Sequence, residues 1–316
     1  MGSTIRDVAV CAGVSMSTVS RVLNDTCPVD QSKRKRVIEA VKALGYRPNP
    51  AARSLLSQKT GGLGIILPFV SGEFFSEFLN GIDRTAQQEG FFLLISTSHH
   101  SRLELAAALA GMNQRVDGLL VMAPQIGVDE EVFSATSESP TVFVNTPSSG
   151  QSADSITFDN FGGMYTVTAH LLSRGHRKIG IISGPADSHD AKERMRGYQN
   201  AMRDTGVTPN DGWIIHGDYT QKGGYDAVKE LLKQKEKPTA VLCSNDYAAI
   251  GALIALHEAG LSVPDDMAVT GFDDVPSARY SHPSLTTVHV PVKELGATAA
   301  RLLISRINDP TPAPHE

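Results

Sequence analysis

TIRDVAVCAGVSMSTVSRVLN, residues 4–24, contains two short helical patterns joined by a turn signal. Thr4 with Asp7 three residues later reads as a capping box, and Ile5, Val8 and Ala9 recur at i, i+3 and i+4 on one face. Ala12-Gly13-Val14 breaks that helix with a residue free to adopt positive φ, and Ser15 is an N-cap for a second helix that turns Val19, Val22 and Leu23 inward. This is a helix-turn-helix layout. A third helix follows from an Asp30 cap, with Val37, Val41 and Leu44 on one face, Lys33 to Arg36 near its start, and Gly45 placed to end it.

When a second helix of this kind enters the major groove, the solvent-facing side chains of its first turns reach base edges. Here those are Met16, Ser17 and Arg21: the guanidinium can fork onto a guanine, the hydroxyl can donate or accept, and the thioether offers only apolar contact. Thr18, Ser20 and Asn24 are placed to bind phosphates and set register. Residues 1–60 hold ten Lys or Arg and four Asp or Glu, a net of +6; the remaining 19 basic and 30 acidic residues net −11, within a whole-chain charge of −5. A basic module ahead of an acidic body draws a polyanion to the module and repels it from the body. Pattern and charge alone leave a three-helix protein-interaction module as the alternative.

Together with LGYRPNPAARSL at 44–55, the opening stretch resembles the DNA-binding headpiece and hinge of the lactose-repressor (LacI/GalR) family of bacterial transcription regulators. The resemblance implies that residues 50–56 fold into a hinge helix when two subunits sit on the operator, and that Leu55 of each wedges into the minor groove. The residue types allow it. Asn49 can cap, Ala51, Ala52 and Leu55 make a small apolar face, a helix this short is marginal alone, and an inserted apolar side chain kinks DNA. The implied DNA-contacting set is Thr4, Ser15, Met16, Ser17, Thr18, Ser20, Arg21 and Asn24 in the headpiece, with Asn49, Ala52 and Leu55 in the hinge. Gln58 to Gly62 then reads as a flexible junction.

From Leu63 onward, short apolar runs alternate with longer helical patterns, as in parallel sheets wrapped by helices. LGIIL at 63–67, FFLLIS at 91–96, DGLLVMA at 117–123 and TVFVN at 141–145 form a first strand series. SITF at 155–158, KIGIIS at 178–183, WIIHG at 213–217, TAVLCS at 239–244 and MAVTGF at 267–272 form a second. Helical patterns lie near 76–90, 102–114, 161–174, 191–206, 222–235 and 247–259; LTTVHV at 285–290 reads as recrossing the hinge before a last helix at about 292–307. The expected division is a headpiece over 1–48, a hinge helix and linker over 49–60, and a core over 61–316. Its first lobe takes about 61–157 and 289–307, its second about 158–288.

Ligands of open α/β sheets bind beyond the carboxyl ends of the strands. Those places hold Phe74 and Phe75, Asn145, the run Asp187 to Arg194, Tyr219, Asn245 with Asp246, and Asp273 with Asp274. Rings stack on apolar faces while amides, carboxylates and an arginine fix hydroxyls or ring nitrogens, so the set suits a sugar or a heterocycle. Asp246 reads as a cap for the helix after it, and Asp274 as a turn residue.

RMRGY at 194–198, the run at 245–274 and PSLTT at 283–287 resemble the effector-binding core of the same family, which is similar in fold to periplasmic sugar-binding proteins. That resemblance implies that Arg194 clamps the ligand, Tyr219 is its stacking platform, Asp273 accepts hydrogen bonds from it, and Phe74, Phe75, Asn145 and Asn245 complete the pocket. Gly72-Glu73 stands where the family often has Asn-Pro, and Asn145 where an aspartate is common, so sugar, sugar-acid and nucleobase-like effectors all stay open. The chain stops at DPTPAPHE, where the family usually continues into a final second-lobe strand with a leucine-rich, arginine-containing end, so the expectation is a truncated product or a gene fragment, without a leucine-heptad tail.

Hydrophobic residues at 41% and charged residues at 20% describe a globular chain. It has no apolar run of about 18 residues, and Arg6 and Asp7 sit where a signal peptide would be apolar, so neither membrane insertion nor export is expected. Cys11, Cys27 and Cys243 show no zinc spacing and fit a reducing cytoplasm. GGMY and GGYD lack the lysine and spacing of a phosphate loop, no GxSxG occurs, and His99-His100 has no third ligand nearby, so an enzyme is not expected. A solute-binding protein is the competing class, and the basic headpiece argues against it.

The fold expected is therefore α/β: a three-helix headpiece and hinge helix, then a two-lobed periplasmic-binding-protein-like core of parallel sheets flanked by helices. The function expected is a homodimeric regulator, a repressor by family habit, that reads a pseudo-palindromic operator in the bacterial cytoplasm. Control by a small-molecule effector of sugar type, with no metal or other cofactor, is expected too. Whether the effector releases DNA or promotes its binding stays open.

Overall fold

Thr4 starts the first helix, α1 (Ile5–Ala12), through a reciprocal cap: its hydroxyl accepts from Asp7 N at 3.3 Å, and Asp7 Oδ2 accepts from Thr4 N at 2.8 Å. Gly13, at φ +62°, ends α1, and Ser15 Oγ accepts from Thr18 N at 3.3 Å to open α2 (Met16–Asn24). Asp30 Oδ1 accepts from Ser32 N at 3.1 Å and Lys33 N at 3.2 Å to open α3 (Gln31–Leu44), which stops at Gly45. The three helices bury Val8, Ala9, Ala12, Val19, Val22, Val37 and Ala40 against one another. Leu44, expected on the inner face, is instead exposed in the last turn of α3, because the buried stripe runs only from Val37 to Val41.

The computed structural model describes residues 3–24, 27–46, 59–137, 139–147 and 154–309. Two compact units emerge, Met1–Thr60 and Gly61–Glu316.

The second unit is built on two parallel five-stranded sheets. The first, in spatial order, contains β2 (Phe92–Thr97), β1 (Gly62–Leu67), β3 (Gly118–Val121), β4 (Thr141–Val144) and β5 (Asp154–Ile156). The second contains β10 (Thr286–His289), β9 (Ala268–Asp273), β8 (Ala240–Cys243), β6 (Ile179–Ser183) and β7 (Ile214–His216). Central strands are buried along their whole length, β1 and β9 at every position, because helices cover both faces. The helices are α4 (Glu73–Gln88), α5 (Arg102–Met112), α6 (Glu130–Thr136), α7 (Asn160–Ser173), α8 (His189–Asp204), α9 (Gln221–Lys233), α10 (Asp246–Glu258), α11 (Pro276–Tyr280) and α12 (Val292–Asn308).

The last helix returns to the first lobe. Gly81 of α4 and Gly296 of α12 permit the approach: a Cβ on Gly81 would lie 2.0 Å from Lys293 O, and one on Gly296 2.2 Å from Phe78 O. Arg306 of α12 then forks onto Asp154 of β5, with Nε to Oδ2 at 2.6 Å and the second bond at 2.7 Å.

The strand pairing corrects one assignment. SITF was expected to open the second series, but β5 pairs with β4 as the final strand of the first sheet, and the chain crosses to the second lobe only after it. Of LTTVHV, residues 286–289 form β10 beside β9 in the second sheet, so the crossing falls at the end of the run, on Val290 with Pro291. Two short helices, α6 and α11, were not expected; the first starts on an Asp129 cap that accepts from Val132 N at 3.0 Å.

Candidate functional site

In the headpiece, burying Val19 and Val22 leaves the opposite face of α2 in solvent. Met16 is 52% exposed, and Ser17 and Arg21 are exposed with it. Ser15 Oγ lies 2.8 Å from Ser17 Oγ and 2.9 Å from Thr18 Oγ1, so three hydroxyls form one polar cluster at the start of α2. Ser20 is half-buried on the same helix. Thr4 is exposed but engaged in its cap. Asn24 ends α2, and its side chain, like Asn49, Ala52 and Leu55, lies outside the described residues.

In the core, backbone strain marks the strand ends. Among the described residues, seven non-glycine residues have positive φ, and all but Gln114 lie just past the carboxyl end of a strand or at it: His99 and His100 after β2, Asn145 after β4, Tyr219 after β7, and Asp273 and Asp274 at the end of β9. Each such residue costs on the order of 1–3 kcal/mol, and such strain concentrates at binding sites. Three of the six, Asn145, Tyr219 and Asp273, are expected effector contacts.

Arg194, on α8 and only 4% exposed, is the hub of this region. Its Nε donates to Asn160 Oδ1 at 2.7 Å, a terminal nitrogen donates to Ser244 O, and the other lies 3.7 Å from Asp273 Oδ1. The guanidinium sits 3.8 Å from the Phe272 ring centroid, with the Tyr219 and Phe158 rings at 5.9 and 6.0 Å. Asn160 Nδ2 donates to Asp190 Oδ1 at 3.2 Å, and Asn145 Nδ2 donates to Asp190 Oδ2 at 2.7 Å. One polar chain thus runs from Asn145 of the first lobe through Asp190, Asn160 and Arg194 to Asp273 of the second.

The electrostatics are those of acids held out of water. Burial pushes the Asp273 carboxyl up to about 8, with Arg194 pulling it down and the Asp246 and Asp190 carboxylates pushing it further up. Its Oδ1 is buried with no hydrogen-bond partner among the described residues. Burial also raises Asp190, against Arg194, His189 and the two amides. The Tyr219 hydroxyl is pushed by burial up to about 12.

Phe74 meets Phe75 edge to face at 5.4 Å and leans on Phe158 at 6.3 Å, which links the first-lobe aromatics to the ring beside Arg194. Asn245 is spent differently. Its Oδ1 caps α10 by accepting from Ala248 N at 3.0 Å, and its Nδ2 holds Tyr219 O at 2.9 Å, so it positions the tyrosine. Asp246 is therefore not the cap it was expected to be. It is fully buried and accepts from Val275 N at 2.8 Å and Thr287 Oγ1 at 2.6 Å, tying β10 and the start of α11 to α10. Asp274 does its turn work at φ +58°, receiving Arg279 and His289.

Asn160, Asp190 and Phe272 were missed as site residues. Asp190 fell within the stretch singled out between Asp187 and Arg194. Asn160 was hidden by the misplaced strand: once β5 closes the first sheet, the residues after it stand at a strand's carboxyl end like the others. A cavity of about 490 Å³ opens against Asn145 and Asn160, with Phe158, Phe161, His189 and Glu193 on its walls.

A helix-turn-helix unit and a two-lobed α/β core with a strained polar cleft, in one chain, define a DNA-binding protein with a periplasmic-binding-protein-like body. Residues 4–49 match the family of bacterial regulatory proteins, lacI family, and residues 168–316 match the periplasmic binding protein-like domain. The HTH-type transcriptional repressor PurR of Photobacterium profundum is 35% identical over 309 residues, covering 97% of this chain and 92% of its own. That of Proteus mirabilis is 37% identical over 310 residues, covering 96% and 90%.

Among solved structures, the lac repressor dimer bound to operator and the anti-inducer ONPF matches with a TM-score of 0.89 at 28% identity, covering 98% of this chain and 94% of that one. A complex of the transcriptional regulator CelR with cellobiose matches at 0.72 and 31% identity, covering 99% and 95%. The chain belongs to the LacI family, as a DNA-binding transcriptional repressor rather than an enzyme. Among the described residues, no helix is long and apolar enough to cross a membrane.

Proposed function

We propose that the chain acts as a homodimer on a pseudo-palindromic operator in the bacterial cytoplasm, and that a small neutral ligand in the interlobe cleft controls it. Residues 1–48 form the reading headpiece, 49–60 the hinge and linker, and 61–316 the effector core, with lobes of about 61–157 plus 289–307 and about 158–288. Met16, Ser17 and Arg21 reach base edges; Ser15, Thr18, Ser20, Asn24 and the Thr4 end of α1 lie along phosphates; Asn49, Ala52 and Leu55 contact the minor groove.

Dimerisation is supported by an unpaired edge. Strand β2 borders the first sheet, and its Phe92 and Ile95 are 55% and 43% exposed, an apolar edge of the kind proteins cover. The relative solved with operator is described as a dimer.

The observation that carries the effector reading is Asp273: a buried carboxylate oxygen without a donor, 3.7 Å from a buried guanidinium, on strained backbone. Such an atom is costly unless a ligand supplies the missing donor. Arg194 already spends its Nε on Asn160 and one terminal nitrogen on Ser244, which leaves less of the guanidinium for a phosphate or carboxylate ligand. A hydroxyl-rich, uncharged molecule of the sugar class fits, with Tyr219 and Phe74 as apolar surfaces. The test is calorimetric titration of the full chain with neutral sugars, sugar acids, sugar phosphates and nucleobases. Binding confined to neutral sugars supports the reading, and preferential binding of an anion overturns it.

A further inference from the structure

Most helices of the core open on a cap from their own chain: Ser101, Asp129, Asp159, Ser188, Thr220 and Asn245 each accept from a backbone N–H two or three residues into the helix that follows. Three do not: α12, which follows Pro291, and two that flank the cleft. Helix α4 starts at Gly72 and α11 at Val275, and neither residue offers a side-chain cap, so their first N–H groups need partners from elsewhere.

The partners come from the opposite lobe. Glu73 N, first in α4, donates to Tyr247 Oη of α10 at 2.8 Å. The Glu73 carboxylate returns the bond: its Oε2 accepts from Ser277 N of α11 at 2.9 Å and from Ser277 Oγ at 2.7 Å. Gly72 makes room, since at φ +98° a Cβ there would be strained and would lie 3.2 Å from Tyr247 Cε2. All three groups are part-buried, where an ionised acceptor strengthens a hydrogen bond.

Both halves are anchored. On the second-lobe side, Val275 N is held by Asp246, and Asp274 receives Arg279 and His289, the residue just before the crossing at Val290 and Pro291. On the first-lobe side, α4 is locked to α12 at Gly81 and Gly296, the helix that begins just after that crossing. Parting the lobes at this edge therefore breaks three hydrogen bonds together and leaves two helix starts without partners.

We propose that Glu73, with Tyr247 and Ser277, is a clasp that sets the angle between the lobes, each lobe supplying the cap that the other's helix lacks. Glu73 is a positioning residue: it acts through the lobe angle and not through ligand contact. Only the clasp's influence on operator binding rests on the proposed function.

The test uses the full chain alone, without ligand or DNA. Hydrogen exchange is followed at the Ser277 amide, and the distance between fluorophores on exposed positions of the two lobes is measured, in wild type, Glu73→Ala, Glu73→Gln and Tyr247→Phe. The clasp predicts that Glu73→Ala speeds Ser277 exchange by about tenfold or more and lengthens the interlobe distance. Glu73→Gln keeps an acceptor oxygen and should recover much of both, which separates the clasp from a general loss of folding. Tyr247→Phe removes one of the three bonds, so it should lengthen the distance and speed Ser277 exchange by less than Glu73→Ala does. Faster exchange with an unchanged interlobe distance overturns the proposal, because the bonds would then be local caps; unchanged exchange overturns it outright. Neither result bears on whether the headpiece reads DNA, which is measured separately by sequence selection.

Discussion

The headpiece and the cleft spend their polar side chains in opposite ways. On α2, Met16, Ser17 and Arg21 are exposed, and the backbone around them is regular helix. In the cleft, Arg194, Asn160 and Asp273 are at most 6% exposed, and Asp273 sits on strained backbone. A surface that must meet a rigid external polyanion can wait in water at little cost. A site that must enclose a small molecule carries its desolvation cost within the fold, in strain and raised carboxyl pKa values.

The largest effect expected from breaking this contrast is at Arg194. Arg194→Ala removes the counter-charge and hydrogen bonds at the centre of the cleft, and removing one partner of a buried pair costs about 3–5 kcal/mol. Calorimetry should show a lowered core transition, with effector response lost and operator affinity kept. An unchanged core transition would mean that the guanidinium is not the hub.

Next is the opposite pH response of the two regions. Burial raises the Asp273 pKa from 3.8 to about 8 and that of Asp246 from 3.8 to about 6. The folded core keeps protons that the unfolded chain releases above about 4, so these groups make core stability fall as pH rises, until it levels off above about 8. In the headpiece, hydrogen bonds from Thr4 hold Asp7 below its ordinary value, and those from Ser32 and Lys33 do the same for Asp30. Their contribution is present above 3.8 and is lost as pH falls through the lower folded values. Asp273→Asn should flatten the core's melting temperature between about pH 6 and 8, leave the Asp246 slope between about pH 4 and 6, and leave the headpiece profile alone.

A smaller effect is expected at the reading surface. Arg21→Ala should cost about 1–3 kcal/mol of discrimination at one base position of each half-site, without lowering headpiece stability. Binding to a set of singly altered operators measures it, and equal losses on every sequence would make Arg21 a phosphate contact. The smallest is Thr4→Ala, which removes half of a reciprocal cap. It should lower headpiece stability by about 1 kcal/mol and leave base preference unchanged.

Legibility in the sequence followed the range of the interactions. The Thr4 cap, the Gly13 break and the Asp30 cap are set by residues within a few positions, and the pattern at 4–45 predicts each of them. Strand ends were legible too, so Asn145, the run Asp187 to Arg194, Tyr219 and Asp273 could be named from apolar runs, while Arg194 itself was singled out by the family resemblance. What could not be read depended on distant partners. Arg306, 152 residues away, pairs with Asp154 and helps hold β5 in the first sheet, and that placement brings Asn160 to Asp190 and Arg194. Asn245 rather than Asp246 caps α10, and Thr287 and Val275 claim the Asp246 carboxylate from later in the chain. The lobe clasp joins residues 204 positions apart, beyond any local pattern.

The central claim is that an exposed, basic helix-turn-helix unit reads DNA as one half of a twofold pair. Selection of bound sequences from random duplex DNA by the full chain, followed by affinity against salt on the selected site, tests it most directly. A twofold pair of headpieces should select a pseudo-palindromic consensus with a flexible pyrimidine-purine step at its centre. Its binding constant should fall steeply with salt, with a logarithmic slope of about −0.9 for each phosphate neutralised. A consensus without twofold symmetry, or no consensus at all, would contradict it.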